Sequence, residues 1–303
     1  MRTFIVIQGT YHLVGRTGAG RPSGFEPDGD SIHFKPANPA LLDRLIRLRR
    51  AYALTAIGSL QLRFEGLDAL EMHFQPEGGG QTHQPRPAAD QARDYLTGLL
   101  GLNPVPYAPP RLVRVQPPVE RDAAPGFILA RSLEVNGRPV AFAFAGAPPA
   151  ADGAEVPLTA GLAKRSLNYR LVQAGQAYPL FYDGMPRDAR QALTAAAQKA
   201  RGARLGVWKQ DLTTKGLAVS GVADLETRGV IFPKLFRRLA EFWAGQPGAP
   251  LAEFPAWLVR ENGEWVLDTP AVDFADFGEF VRVKGQVVSL TRRPEELVFI
   301  SAR

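Results

Sequence analysis

Two short segments carry the side chains best suited to chemistry. Residues 28–31 read Asp-Gly-Asp-Ser, and residues 62–71 read Leu-Arg-Phe-Glu-Gly-Leu-Asp-Ala-Leu-Glu, a run that closes on two carboxylates, Asp68 and Glu71. Two strands that each end in acids can converge carboxylate oxygens on one hard cation. Such a cation polarises a phosphoryl oxygen, and a neighbouring carboxylate can position or deprotonate an attacking water. Arg63 adds a permanently charged fork that suits a phosphate. Taken alone, Asp-Gly-Asp is an ordinary turn, and a core ion-pair cluster in which Arg63 merely neutralises the acids is the competing structural reading. Converging carboxylates repel one another and hold their protons unless a cation compensates them. Keeping Asp30, Asp68 and Glu71 together therefore favours a metal, or Arg63 itself, among them.

Composition narrows the setting. The chain has 303 residues, 45% hydrophobic and 22% charged, which predicts a globular protein with more than one domain. It has no cysteine, so disulfides, thiolate metal sites and cysteine nucleophiles are excluded. The formal charge of +6 is compatible with nucleic acid without being diagnostic. No segment approaches the roughly 20 apolar residues needed to span a bilayer, and the N-terminal apolar run reads as a strand. A cytoplasmic location is expected. His12, His33, His73 and His83 lack a metal-binding spacing and are expected to face solvent.

The elements that must position these groups follow from periodicity. Ile5–Gly15 and Ser31–Pro36 read as strands, and residues 37–50 as an inserted helix with Asn38 and Pro39 at its start and Leu41, Leu42, Leu45, Ile46 and Leu48 on one face. Residues 59–70 alternate as a half-buried strand. Gly78-Gly79-Gly80 is a flexible loop, a flap beside the site. A helix over 87–102, a strand over 111–116 and a hairpin over 127–146 turning at Asn136-Gly137 come next. Helices over 165–175 and 186–208 complete this part. The order predicts an α+β protein: a small antiparallel OB-fold-like β-barrel packed with helices over 1–212, with a helical insertion near 37–58. A smaller C-terminal α+β domain spans 213–303, with a helix at 232–245 whose apolar face docks and whose Lys234, Arg237 and Arg238 point outwards.

The segment order resembles the staphylococcal-nuclease-like, or thermonuclease, family. The resemblance rests on Asp-Gly-Asp-Ser at 28–31, Arg-Phe-Glu-Gly-Leu-Asp-Ala-Leu-Glu at 63–71, Leu-Asn-Tyr-Arg-Leu-Val-Gln-Ala-Gly-Gln-Ala at 167–177 and Leu-Gly-Val-Trp at 205–208, and covers about residues 5–212. It implies a Ca2+-dependent phosphodiesterase that cuts DNA or RNA with little sequence preference. Asp30 and Asp68 match the family's calcium-ligating aspartates, the carbonyl of Ala69 is a further ligand, Glu71 matches the proposed general base and Arg63 the first phosphate-binding arginine. Phe181 and Tyr182 lie near its base-stacking tyrosines.

Two departures qualify this. The family's Tyr-Gly-Arg, followed by an apolar residue, Leu and Ala, is aligned with Pro125–Ala130, so Phe127 stands for the second arginine, and Phe cannot donate to phosphate. Arg121 and Arg131 are the nearby candidates to replace it at a nucleic-acid contact. Leu70 stands where the family has proline. A catalytically silent barrel that binds nucleic acid or a protein is the alternative, with the C-terminal part a possible interface for a partner or a second copy.

Overall fold

Leu60–Gln61 and Arg63–Phe64 are separated only by Leu62, yet they form the two ends of one sheet. In the computed structural model, which describes residues 3–47, 49–261 and 263–301, the strand order is Leu60–Gln61, His33–Pro36, Thr3–His12, Ala123–Leu133, Pro139–Ala145, Arg63–Phe64. Because its first and last members adjoin in sequence, the sheet curls nearly closed. Its pairings along this path are antiparallel except the last, where Val140 faces Arg63 and Ala141 faces Phe64 in parallel register. Fully buried Phe4, Phe34, Phe64, Phe127, Phe142 and Phe144 fill the interior. The α+β expectation therefore holds, with a barrel-like sheet and several helices.

The predicted hairpin forms, with Gly137 at φ +85° where a side chain would be strained. Three helices lie where the periodicity put them, at Arg86–Leu99, Leu167–Gln173 and Arg187–Gly202. Other elements differ. The insertion is not a helix: a single 3-10 segment, Pro39–Arg44, begins at Asn38, whose side chain accepts the Ala40 N–H as expected, and the chain then extends through Ile46–Arg47 beside Ser132 and Leu133. Leu41, Leu42 and Leu45 are buried and pin it, and Ile46 is exposed. Leu48 lies outside the described residues. Residues 111–116 form no strand but one bridge, Tyr107 to Val115. The strand over 59–70 breaks into Leu60–Gln61, Arg63–Phe64 and Leu67–Ala69, turning at Gly66, φ +83°.

Past residue 213 the described residues form helices Val222–Arg228, Pro233–Gly245 and Phe254–Glu261 and six short strands. The last, Leu297–Phe299, runs parallel to Phe181–Tyr182. One buried apolar cluster is continuous from Phe4 to Phe299, so the C-terminal residues pack directly against the barrel's helices and strands. No helix among the described residues is long and apolar enough to cross a membrane.

Candidate functional site: a carboxylate cluster closed by an arginine

The Asp28–Asp30 turn is pressed against the Leu67–Ala69 strand by Gly29, where a Cβ would meet the Ala69 and Ala92 methyls at 2.5 and 2.7 Å. The close approach lets Asp30 Oδ2 accept the Ala69 N–H (3.2 Å), while Asp28 Oδ1 accepts the Asp30 N–H (3.1 Å). The Phe64 N–H donates to the Asp30 carbonyl, which ties the neighbour of Arg63 to the same turn. Asp68 sits on a strand paired with Ala177–Pro179, opposite Tyr178. Glu71 is fixed by fully buried Gln84: Gln84 Oε1 accepts the Glu71 N–H and Glu71 O accepts the Gln84 N–H. The same Gln84 donates through Nε2 to the carbonyls of Gly229 (2.7 Å) and Ile231 (2.9 Å). One side chain thus registers Glu71 against the chain entering the Pro233–Gly245 helix.

That registration delivers a residue the sequence placed elsewhere. Arg237, expected on the outer face of its helix, turns inwards. Its Nη1 and Nη2 donate to Asp68 Oδ1 (3.1 Å) and Oδ2 (2.8 Å), and Nη1 also donates to Glu71 Oε1. Asp68 is 1% exposed and Arg237 17%. Lys234 also faces inwards, bonded to Glu264 and stacked over the Phe299 ring, 4.4 Å from its centroid. The helix is buried around most of its girth, from Lys234 to Trp243, so its basic groups have carboxylates rather than water as partners.

Even with Arg237 in place, negative charge is in excess. Among the described residues, Asp28, Asp30, Asp68 and Glu71 face two guanidiniums, Arg63 and Arg237. Burial, then the charges of Asp28 and Asp68, push the Asp30 carboxyl well above the usual carboxylate range, against the opposing pull of Arg63. Burial and Glu71 raise Asp28, and burial raises Glu71 despite Arg237. Tyr182 shows the opposite shift: burial raises its pKa, but Lys234, Arg63 and Arg237 outweigh this and bring it below the ordinary tyrosine value. A negative niche and a positive one therefore share Arg63, which is half-buried.

The other predicted residues divide. Ala69 pairs with Ala177 across the strand edge and is at the site through its N–H. Tyr182 borders it, whereas Phe181 is fully buried and turned into the core, where no base can stack. Arg121 donates to the Gly101 carbonyl (3.2 Å), and among the described residues no hydrogen bond or ion pair joins Arg121 or Arg131 to the cluster. Phe127 is interior, stacked on Phe144 with centroids 4.5 Å apart. The strand beside Arg63 is instead Pro139–Ala145, entered through Asn136-Gly137-Arg138-Pro139-Val140-Ala141, which carries the Gly-Arg-apolar-apolar-Ala spacing sought at Phe127. Arg138, missed in the sequence for want of the preceding tyrosine, is held by Glu134 through Nε (3.2 Å). The four histidines are half-buried rather than exposed; His33 stacks on Phe25 at 3.5 Å. Gly79 lies against Pro76 and Ala244, where a Cβ would be crowded at 2.7 and 2.9 Å, so this loop is packed on the C-terminal helix.

The donors suit Ca2+ chemically, but their arrangement does not cage it. Both Asp68 oxygens and one Glu71 oxygen are spent on Arg237, and among the described residues no group of three or more His, Asp or Glu side chains is placed to hold a metal ion. Cavities of about 410 Å³, beside His73, His83 and Arg111, and about 550 Å³, beside Trp265 and Phe274, both lie off the cluster. No protein-family model matches the sequence, and comparison with curated proteins finds no significant match.

Proposed function

We propose that the protein is a phosphodiesterase of the thermonuclease-like kind, an OB-fold-like barrel acting on DNA or RNA with little sequence preference. The observation that carries this reading is the juxtaposition of the acid-rich niche around Asp30 and Glu71 with Arg63 at its border. A phosphodiester brings an anion for the arginine and a centre to be attacked by water, and the two niches match that polarity. Glu71, its proton affinity raised by burial, takes up a proton from water nearer neutrality than an ordinary carboxylate does. Arg63 donates to the phosphoryl oxygens as charge accumulates on them. Arg138, once released from Glu134, is the second arginine in this reading. Calcium is the cation that the resemblance implies, but with both Asp68 oxygens and one Glu71 oxygen bonded to Arg237 it does not fit this site.

A binding-only barrel is the second reading, favoured by the neutralisation of Asp68 and Glu71 by Arg237. Cleavage assays on single- and double-stranded DNA and RNA, with Ca2+ supplied, separate the two. The phosphodiesterase reading expects cleavage that falls by about 10²–10³-fold in Arg63→Ala, the usual scale for removing one charge-stabilising donor. Intact substrates with tight nucleic-acid binding would replace it by the binding reading.

A further inference from the structure

Arg237 reaches the cluster from 166 residues away in sequence and consumes the oxygens best placed to hold a cation. We infer that Arg237 is a tethered cation that closes the site and competes with a divalent metal ion for Asp68 and Glu71, an autoinhibitory contact built into the C-terminal part of the chain. The inference rests on the phosphodiesterase reading for its purpose but not for its test.

Three observations converge on it. The guanidinium makes two parallel hydrogen bonds to Asp68 and a third to Glu71, so it occupies carboxylate oxygens that a divalent ion would need as ligands. A single positive charge satisfies the cluster incompletely, since two arginines face four carboxylates; a divalent ion in place of Arg237 brings the site closer to neutrality. The side chain keeps contact with solvent at 17% exposure, whereas its helix is anchored independently. Lys234 and Arg238 bind Glu264, and Phe236 packs edge-on against Phe74. The moving part is therefore the Arg237 side chain, which can swing out to water while the helix stays docked.

The test is calorimetric titration of the full-length protein with CaCl2 at low ionic strength. Wild type, Arg237→Gln, Arg237→Lys and the double variant Arg237→Gln/Asp68→Asn are compared. Arg237→Gln is expected to bind Ca2+ at least about tenfold more tightly than wild type, and the gain is lost in the double variant. Arg237→Lys, which keeps the charge but not the bidentate fork, falls between. Calcium should also raise the melting temperature of Arg237→Gln more than that of wild type. Should Arg237→Gln be unfolded without metal, recovery of its circular dichroism on adding Ca2+ is the same result. Equal affinity in wild type, Arg237→Lys and Arg237→Gln overturns the competition while leaving a cation site, and no binding by any variant overturns both. Tighter binding by Arg237→Gln with no cleavage of nucleic acid upholds the latch and removes the phosphodiesterase reading instead.

Discussion

One helix, Pro233–Gly245, serves two carboxylate sites that differ in charge balance. At Glu264 a single carboxylate accepts from Lys234 Nζ (2.7 Å) and from Arg238 Nε (3.0 Å) and Nη2 (2.9 Å). Burial opposes its ionisation, but Lys234 and Arg238 outweigh it and hold the carboxyl down at about 2. On the same helix, Arg237 meets Asp68 and Glu71, and there burial raises the Glu71 carboxyl and its neighbour Asp30 above the usual carboxylate range. With Glu241 also paired to Arg238, the Glu264 network is balanced, two cations to two carboxylates, whereas the barrel cluster has fewer cations than acids. An ion-pair network selected for holding elements together is expected to be neutral or cation-rich around each acid, because unpaired buried charge costs several kcal/mol. The surplus of acid at Asp28, Asp30, Asp68 and Glu71 is a cost with no packing return, which is the physical reason to read it as a site.

Breaking each region separately tests that contrast. Arg237→Ala strands Asp68 and Glu71 and should destabilise the protein by about 3–5 kcal/mol at pH 7 in the absence of metal, measured by urea unfolding. A loss below about 1 kcal/mol would mean that the cluster was not relying on it. Glu264→Gln leaves Lys234, 3% exposed, without its counter-charge and should cost about 2–4 kcal/mol, less than the first because Glu264 retains some solvent.

Asp30→Asn should go the other way. Removing one surplus charge is expected to stabilise the metal-free protein, since burial and the neighbouring carboxylates oppose the ionised Asp30 and leave a neutral amide unpenalised. A destabilised Asp30→Asn would make the two regions alike.

Acid titration sharpens the same contrast. The folded pKa of Glu264 is depressed, so its contribution is fully present above the ordinary glutamate value of 4.5 and is lost as pH falls towards about 2. The gap between wild type and Glu264→Gln should close over that window. Asp30 has a raised folded pKa, so the advantage of Asp30→Asn is full above that pKa and vanishes as pH falls to the unfolded value near 3.8. The two gaps should have opposite signs at pH 7 and both shrink in acid.

Local pattern carried part of this architecture and none of its closure. The grouping of Asp30, Arg63, Asp68 and Glu71 was legible because each lies in or beside a short strand or turn within a few residues of Gly29 or Gly66. The strand ends around Gly29 and Gly66 follow from local chemistry in the same way. Arg237 was not legible. Amphipathic spacing assigns a charged residue to the outer face, but this helix is covered on most sides, and its counter-charges lie on strands distant in sequence. The 37–50 segment misled for a related reason: its leucine spacing satisfies a helical period, yet the described residues continue as an extended strand at Ile46, which is exposed, while Leu41, Leu42 and Leu45 enter the core. Phe127 illustrates how register escapes a linear reading. Which of the two hairpin strands lies beside Arg63 depends on barrel closure, through the pairing of Val140 with Arg63.

The most direct test of the charge imbalance is a carbon-detected NMR titration of the side-chain carboxyls, assigned through Asp28→Asn, Asp30→Asn, Glu71→Gln and Glu264→Gln. Asp28, Asp30 and Glu71 are expected to titrate above the ordinary carboxylate range while Glu264 remains ionised down to about pH 2. Finding all four at or below ordinary values would show the barrel cluster to be as well neutralised as Glu264, and would contradict its reading as a site.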